Sequence, residues 1–224
     1  MSLKVAGKKI IAVIPALNEE KTISDVLRNI KHHVDEIILV DDASLDKTAD
    51  IATSLGVIVI SNRKNMGYDK SIERGFKEAL KKGADIIFTF DADGQHYPSD
   101  IPLILKPILN DEADLVVGKR PYHARFFEML FAYISKKMTG IDDPLCGFKA
   151  YRIDVYKDIG YFDKISSIGT QLMFNAYRKG YRIKQQDISL SKRTDASRFG
   201  RRIKGNWKIF KAMLRVLRVN GVNV

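Results

Sequence analysis

Asp85-Ile86-Ile87-Phe88-Thr89-Phe90 runs straight into Asp91-Ala92-Asp93-Gly94-Gln95-His96, and the reading of this stretch decides the fold. Ile86, Ile87, Phe88 and Phe90 place apolar side chains on both faces of an extended segment, which marks a strand buried on both sides. The acids that follow mark its end as polar. Working outward, residues 10–15, 36–40, 57–61 and 114–118 have the same buried-strand character. Residues 19–31, 46–55, 68–81 and 98–109 lie between them with helical length and apolar spacing. Asn18 and Ser44 stand where helix caps are expected. Strand–helix alternation predicts an α/β fold, with a mostly parallel central sheet covered by helices on both faces. No internal repeat, low-complexity tract or Pro/Gly linker interrupts the chain. The pattern becomes less regular after Pro121, where an apolar segment spans residues 126–138 and a turn-rich one follows near residues 141–147.

The chain has 224 residues, of which 45% are hydrophobic and 29% charged, a composition that excludes collagenous, mucin-like and wholly disordered classes. Cys146 is the sole cysteine, so an internal disulfide and a cysteine zinc site are excluded. No apolar core follows Met1 ahead of a cleavage site, and apolar runs such as residues 10–14 fall far short of the roughly 20 residues needed to cross a bilayer. A soluble protein of a reducing compartment is the expectation. The net charge of +11 is uneven: residues 192–218 hold ten basic residues and one acid, Asp195. There Ile203, Trp207, Phe210, Leu214 and Leu217 recur at helical spacing beside Lys204, Lys208, Lys211, Arg215 and Arg218. A basic amphipathic C-terminal helix over residues 201–224 follows, suited to an anionic membrane surface or to packing on its own core. One Trp without interleaved aromatics makes a poor platform for stacked bases, so nucleic acid is disfavoured.

Ligands of open parallel sheets bind beyond the C-terminal strand ends. Here those ends read Pro15-Ala16-Leu17-Asn18-Glu19, Asp41-Asp42-Ala43-Ser44 and Asp91-Ala92-Asp93-Gly94-Gln95-His96, three acid-bearing turns along one edge. Asp91 and Asp93 can converge on a hard divalent cation that takes its remaining ligands from water and substrate phosphates. His96 reads as a supporting residue rather than a ligand. Asp41 and Asp42 either cap the next helix or accept hydrogen bonds from a nucleobase or ribose. Neither G-x-G-x-x-G after the first strand nor G-x-x-x-x-G-K-[ST] anywhere is present, which disfavours a dinucleotide oxidoreductase and a P-loop NTPase.

In order along the chain, Val13-Ile14-Pro15-Ala16-Leu17-Asn18-Glu19-Glu20, Val40-Asp41-Asp42-Ala43-Ser44, Asn65-Met66-Gly67-Tyr68, Phe90-Asp91-Ala92-Asp93-Gly94-Gln95-His96 and Asp143-Pro144-Leu145-Cys146-Gly147-Phe148-Lys149-Ala150-Tyr151-Arg152 resemble the family 2 inverting glycosyltransferases. The branch most similar is that of the dolichyl-phosphate mannose synthases, and the likeness covers roughly residues 9–200. It implies a GT-A nucleotide-sugar-binding domain over residues 1–200. Pro15, Asn18, Glu19, Asn65 and Gly67 would line the nucleotide pocket, with Asp42 or Asp41 reading the base. Asp91, Asp93 and Gln95 would hold Mg²⁺ or Mn²⁺ on the donor diphosphate. Arg193, Ser197 and Arg198 resemble a phosphate-binding R-x-x-G-x-S-[KR] segment, so the resemblance makes Asp91, Asp93, Arg193 and Arg198 the catalytic set.

The chain departs from that pattern at Asp69 and Lys70, at Ala196, and at Gln171 in Gly169-Thr170-Gln171-Leu172, where many relatives place a Glu base. An amide cannot take a proton from a sugar hydroxyl, whereas a lipid phosphate is ionised already and needs no base. The expected activity is therefore transfer of a hexose from a GDP- or UDP-linked donor to a polyprenyl phosphate. It would take place peripherally on the cytoplasmic face of the membrane, through the amphipathic segments or an integral membrane partner, with Gln171 near the acceptor. The alternatives are transfer to a sugar hydroxyl of a glycan or glycolipid, and a basic binding protein with a degenerate site. A haloacid dehalogenase-like phosphatase also carries D-x-D-G, but at the opening of its fold rather than after a fourth strand.

Overall fold

The computed structural model describes residues 7–122, 125–191 and 202–219, with side chains of the last segment from residue 205. Seven strands form one sheet in the order β3-β2-β1-β4-β6-β5-β7. β1 (Ile10–Ala16), β2 (Glu36–Asp41), β3 (Ile58–Ser61) and β4 (Ile86–Thr89) are parallel. β5 (Leu115–Lys119) and β7 (Ile183–Asp187) are parallel to each other, and β6 (Lys149–Arg152) lies between β4 and β5 and runs against both. Ile10, Ile11, Ala12, Val13 and Ile14 are at most 1% exposed, so consecutive side chains on both faces of β1 are buried. The sheet is thus covered on both sides, as the unbroken apolar runs require.

Among the described residues eight helices accompany it: α1 (Ile23–Ile30), α2 (Thr48–Ser54), α3 (Tyr68–Lys81), α4 (Ile101–Leu109), α5 (Phe126–Thr139), α6 (Ile153–Ile159), α7 (Gln171–Arg178) and α8 (Arg202–Val219). A 3₁₀ turn, Pro98–Asp100, leads into α4. α3 crosses β1 and β2 so closely that a side chain at Gly75 would collide with Val13. Its approach fixes where the N-terminus of α3, with Gly67 and Tyr68, meets the sheet edge.

Two sequence expectations are corrected in this layer, the second only in part. Asn18 and Ser44 cap no helix. The backbone N–H of Asn18 donates to Ser44 Oγ at 2.9 Å, and Leu45 N–H donates to Asn18 Oδ1 at 2.7 Å, so the two residues staple the loops after β1 and β2 together. α1 consequently begins at Ile23, after a turn in which the Glu19 carbonyl accepts from the N–H groups of Thr22 and Ile23. On α8 the buried face is Ile209, Ala212, Met213, Val216 and Leu217, while Trp207 is 54% exposed and Phe210 and Leu214 only partly covered. The helix carries two apolar stripes. α8 packs beside α5, where the Phe127 and Phe210 rings meet with centroids 4.9 Å apart and the Phe127 N–H donates to Asn206 Oδ1 at 3.4 Å. This buried face belongs to the same core as the sheet. No helix among the described residues is long and apolar enough to cross a membrane.

Candidate active site

Strand register builds the site. Pro15 lies opposite Val40, and Ala16 opposite Asp41, while Val13 is level with Thr89 on the other side. The chain beyond Thr89 therefore emerges beside Pro15, bringing three strand ends together over a cleft of about 480 Å³. That volume suits a substrate rather than a water cluster. Asp91, Asp93 and Gln95 line it, together with Pro15, Glu19, Asp42, Asn65 and Gly67.

Asp91 is positioned by three residues. His96, buried against the Phe90 and Phe148 rings, brings Nε2 to 3.3 Å from Asp91 Oδ2. Thr89 Oγ1 donates to the Gly147 carbonyl at 2.6 Å, fixing a residue whose missing side chain leaves room for the carboxylate: any Cβ at Gly147 would collide with it. Burial pushes the Asp91 carboxyl upward, but His96, Arg120 and Lys149 outweigh burial and hold it below the usual range. It is ionised at neutral pH. Asp93 Oδ1 accepts from Gln95 N–H at 3.1 Å, and Thr22 Oγ1 donates to the Ala92 carbonyl at 2.7 Å, so the acidic turn is ordered from both ends. Among the described residues no three His, Cys, Asp or Glu side chains converge as a closed metal site. Two carboxylates and an amide on an open cleft still fit a hard cation that shares its shell with a substrate diphosphate.

Directly after β2, Asp42 acts as a loop anchor. Its Oδ1 accepts from Met66 N–H and from Asn62 Nδ2, both at 2.7 Å, and its Oδ2 accepts from Gly67 N–H at 2.8 Å. Asp41 and Asn18 do not line the cleft: Asp41 Oδ1 accepts from Ser44 N–H, and Asn18 is turned toward Ser44 and Leu45.

Residues 11–160 match the family model described as glycosyl transferase family 2. The chain belongs to this family. Over 142 residues it is 40% identical to the UDP-N-acetylglucosamine–dolichyl-phosphate N-acetylglucosaminyltransferase of Methanococcus voltae, covering 55% of this chain and 57% of that protein. Over 208 residues it is 28% identical to the undecaprenyl-phosphate mannosyltransferase of Micrococcus luteus, covering 83% and 84%. In structure it resembles Mycobacterium tuberculosis glucosyl-3-phosphoglycerate synthase, crystallised with Mn²⁺, UDP-glucose and phosphoglyceric acid, with a TM-score of 0.75 at 20% identity over 98% of this chain and 82% of that one. The fold is the GT-A fold of glycosyltransferases.

Several cleft residues of this family 2 chain escaped the sequence reading. Arg120 follows β5 and lines the cleft while donating from Nε and Nη2 to Asp143 at 2.7 and 2.8 Å. Arg125 also lines it, paired with the buried Glu128 at 3.0 Å. The rule that pointed to the other strand ends points equally to Lys119-Arg120, since β5 ends there. Ile168 and Ile209 add an apolar lining that no local motif announces, beside Tyr68 and Leu145, which stand in the quoted motifs but were given no role there. Gln171 is buried but does not line the cleft; its Oε1 accepts from Lys164 N–H at 2.6 Å. Arg193, Ser197 and Arg198 lie outside the described residues. The chain enters that segment beside the acidic turn, because Ser191 N–H donates to the Gln95 carbonyl at 2.8 Å.

Proposed function

We propose that this chain transfers a hexose from a UDP-linked donor to a polyprenyl phosphate, with inversion at the anomeric carbon and with Mg²⁺ or Mn²⁺ bound. One observation carries the reading: Asp91, Asp93 and two arginines, Arg120 and Arg125, share one cleft that also has an apolar lining of Leu17, Leu145, Ile168, Leu190 and Ile209. Acids at one point and guanidiniums at another are what a divalent cation on a diphosphate and a second, anionic reactant require together. Asp91, Asp93 and Gln95 would hold the metal, which supplies charge neutralisation to the departing nucleoside diphosphate. The nucleoside would lie over Pro15, Glu19, Asn65 and Gly67, on the loop that Asp42 anchors.

Arg120 and Arg125 orient the acceptor phosphate. Its oxygen forms the new bond to the anomeric carbon from the face opposite the diphosphate, whose C–O bond breaks and takes the electron pair. No proton has to leave the acceptor, which accords with an amide at position 171 turned into Lys164 rather than toward the cleft. Arg193 and Arg198, reached through Ser191 beside Gln95, would add charge at the leaving group. The names of the Methanococcus and Micrococcus relatives support the lipid-phosphate acceptor, and UDP is common to the Methanococcus relative and the Mycobacterium structure.

The acceptor would reach the cleft from a membrane surface, with the protein held peripherally on the cytoplasmic face. Phe126, Met129, Tyr133 and Trp207 are each more than half exposed on α5 and α8, and Tyr122, also exposed, lines the adjoining cleft. Lys137 lies over the Tyr133 ring and Lys211 over the Trp207 ring, which sets cations beside aromatics as an anionic leaflet favours.

The test is to incubate purified protein with Mn²⁺ or Mg²⁺, a panel of UDP- and GDP-sugars and a polyprenyl phosphate, beside Asp93→Ala, with products read by mass spectrometry. A glycolipid formed from a UDP-sugar, dependent on metal and lost in Asp93→Ala, is the expected result. Transfer to soluble sugar hydroxyls with none to lipid phosphate would overturn the acceptor, and product from GDP-sugars alone would overturn the donor.

A further inference from the structure

The turn between α6 and α7 has left-handed backbone at Ser166 (φ 55°), Ile168 (φ 59°) and Gly169 (φ 69°). For a β-branched residue such as Ile168 this is a genuine outlier, and such strain persists only where the surroundings over-determine it. Four parts of the fold do so. Asp163, at the start of the turn, accepts from the N–H groups of Ile165 at 2.9 Å and Ser167 at 3.0 Å. Arg215 of α8 donates to the Ser166 carbonyl at 3.1 Å, and Lys149 of β6 donates to the Gly169 carbonyl at 3.0 Å. The fourth contact comes from α3: Asp69 Oδ1 accepts from Gly169 N–H at 2.7 Å, and the carboxylate also takes the N–H of Ile168. Gly169 is wedged as well, since a Cβ there would stand 3.1 Å from both the Tyr68 and Phe162 rings.

The result is that Ile168 lines the cleft with Leu145 and Ile209. Asp69 does not itself line the cleft, and it follows within two residues the Asn65–Gly67 loop at the nucleotide end. We propose that Asp69 is a positioning residue, which locks the Ser166–Thr170 turn to the start of α3 and so holds Ile168 as the apolar wall against which the first isoprene unit of the acceptor packs. The clamp stands on geometry alone; its assignment to the acceptor rests on the function proposed above.

Amide exchange and transfer kinetics test the two parts separately. In Asp69→Ala the amides of Ile168 and Gly169 should exchange about 10-fold faster or more, whereas Asp69→Asn, which keeps an acceptor oxygen, should retain most of the protection. Ile168→Gly relieves the strain, leaves Gly169 protected and removes the wall. Asp69→Ala and Ile168→Gly should both raise the KM for polyprenyl phosphate about 10-fold and leave the KM for the nucleotide sugar within about twofold. Unchanged exchange in Asp69→Ala overturns the clamp. A wild-type acceptor KM in Ile168→Gly, or a defect confined to the donor KM, overturns the wall. If Asp69→Ala does not fold, Asp69→Asn and Ile168→Gly carry both readouts. A wild-type protein that glycosylates no lipid phosphate overturns the acceptor assignment, while the exchange data still decide the clamp.

Discussion

Gly147 and Asp91 occupy one another's space: the hydrogen at position 147 is the condition for the carboxylate at position 91. Gly147→Ala should therefore displace Asp91 and lower Mn²⁺-dependent UDP affinity by about 100-fold, near 2.7 kcal/mol, while metal-free binding changes little. Calorimetry with and without Mn²⁺ checks this. A second residue sets a pH dependence. Burial, aided by Asp163, raises the Asp69 carboxyl to about 7 against the pull of the Gly169 and Ile168 N–H groups and Lys149. The folded protein thus takes up a proton that the unfolded chain releases near pH 4, so stability falls between about pH 4 and pH 7 and stays lower above. Asp69→Asn should flatten that slope, with little change at pH 4 and a gain of at most about 4 kcal/mol at pH 8 by denaturant titration. Asp91 and Asp93 were legible in the sequence because they end an unmistakable strand. The roles of Asn18 and Ser44 were not, because a short polar side chain in a turn bonds to whichever loop lies nearest, and that is set by strands pairing from elsewhere in the chain.

At the scale of elements, the long apolar runs were readable and β6 and β7 were not. β6 is only Lys149–Arg152, and β7 reads Ile183-Lys184-Gln185-Gln186-Asp187, half exposed and largely polar; both are strands because β5 supplies partners. The stripe read on α8 held only in part: Leu217 is buried and Phe210 meets Phe127 of α5, but Trp207 is open to solvent and the deepest face is Ile209, Ala212, Met213 and Val216. The two sides of α8 should behave differently on substitution. Met213, 3% exposed, sits on the buried side, and Met213→Ala should cost about 2–5 kcal/mol of stability. Trp207 is stacked on Phe210 at 5.2 Å but open to solvent, so Trp207→Glu should change stability by less than about 1 kcal/mol. The same change should weaken binding to anionic vesicles about 10-fold or more, measured by sedimentation.

For the whole molecule, charge and topology have separate consequences. Most of the net +11 lies in residues 192–218, on and just before α8, so vesicle binding should fall steeply as salt rises from about 0.1 to 1 M, where the screening length shrinks from about 10 to 3 Å. Sedimentation across that range checks it, and a salt-insensitive interaction would point to the aromatic surface alone. The position of β6 matters at another stage of the protein's life. β4 and β5 are not neighbours; both pair with a strand that leaves the ribosome some thirty residues after β5. Until residues 149–152 arrive, a nascent chain holds two apolar strands with open edges, Ile86–Thr89 and Leu115–Lys119, and such edges invite pairing with other chains. The strand that carries Lys149 into the turn clamp and begins two residues after Gly147 is thus also the one that joins the halves of the sheet. A product cut short before it would be an aggregation hazard rather than a weak enzyme.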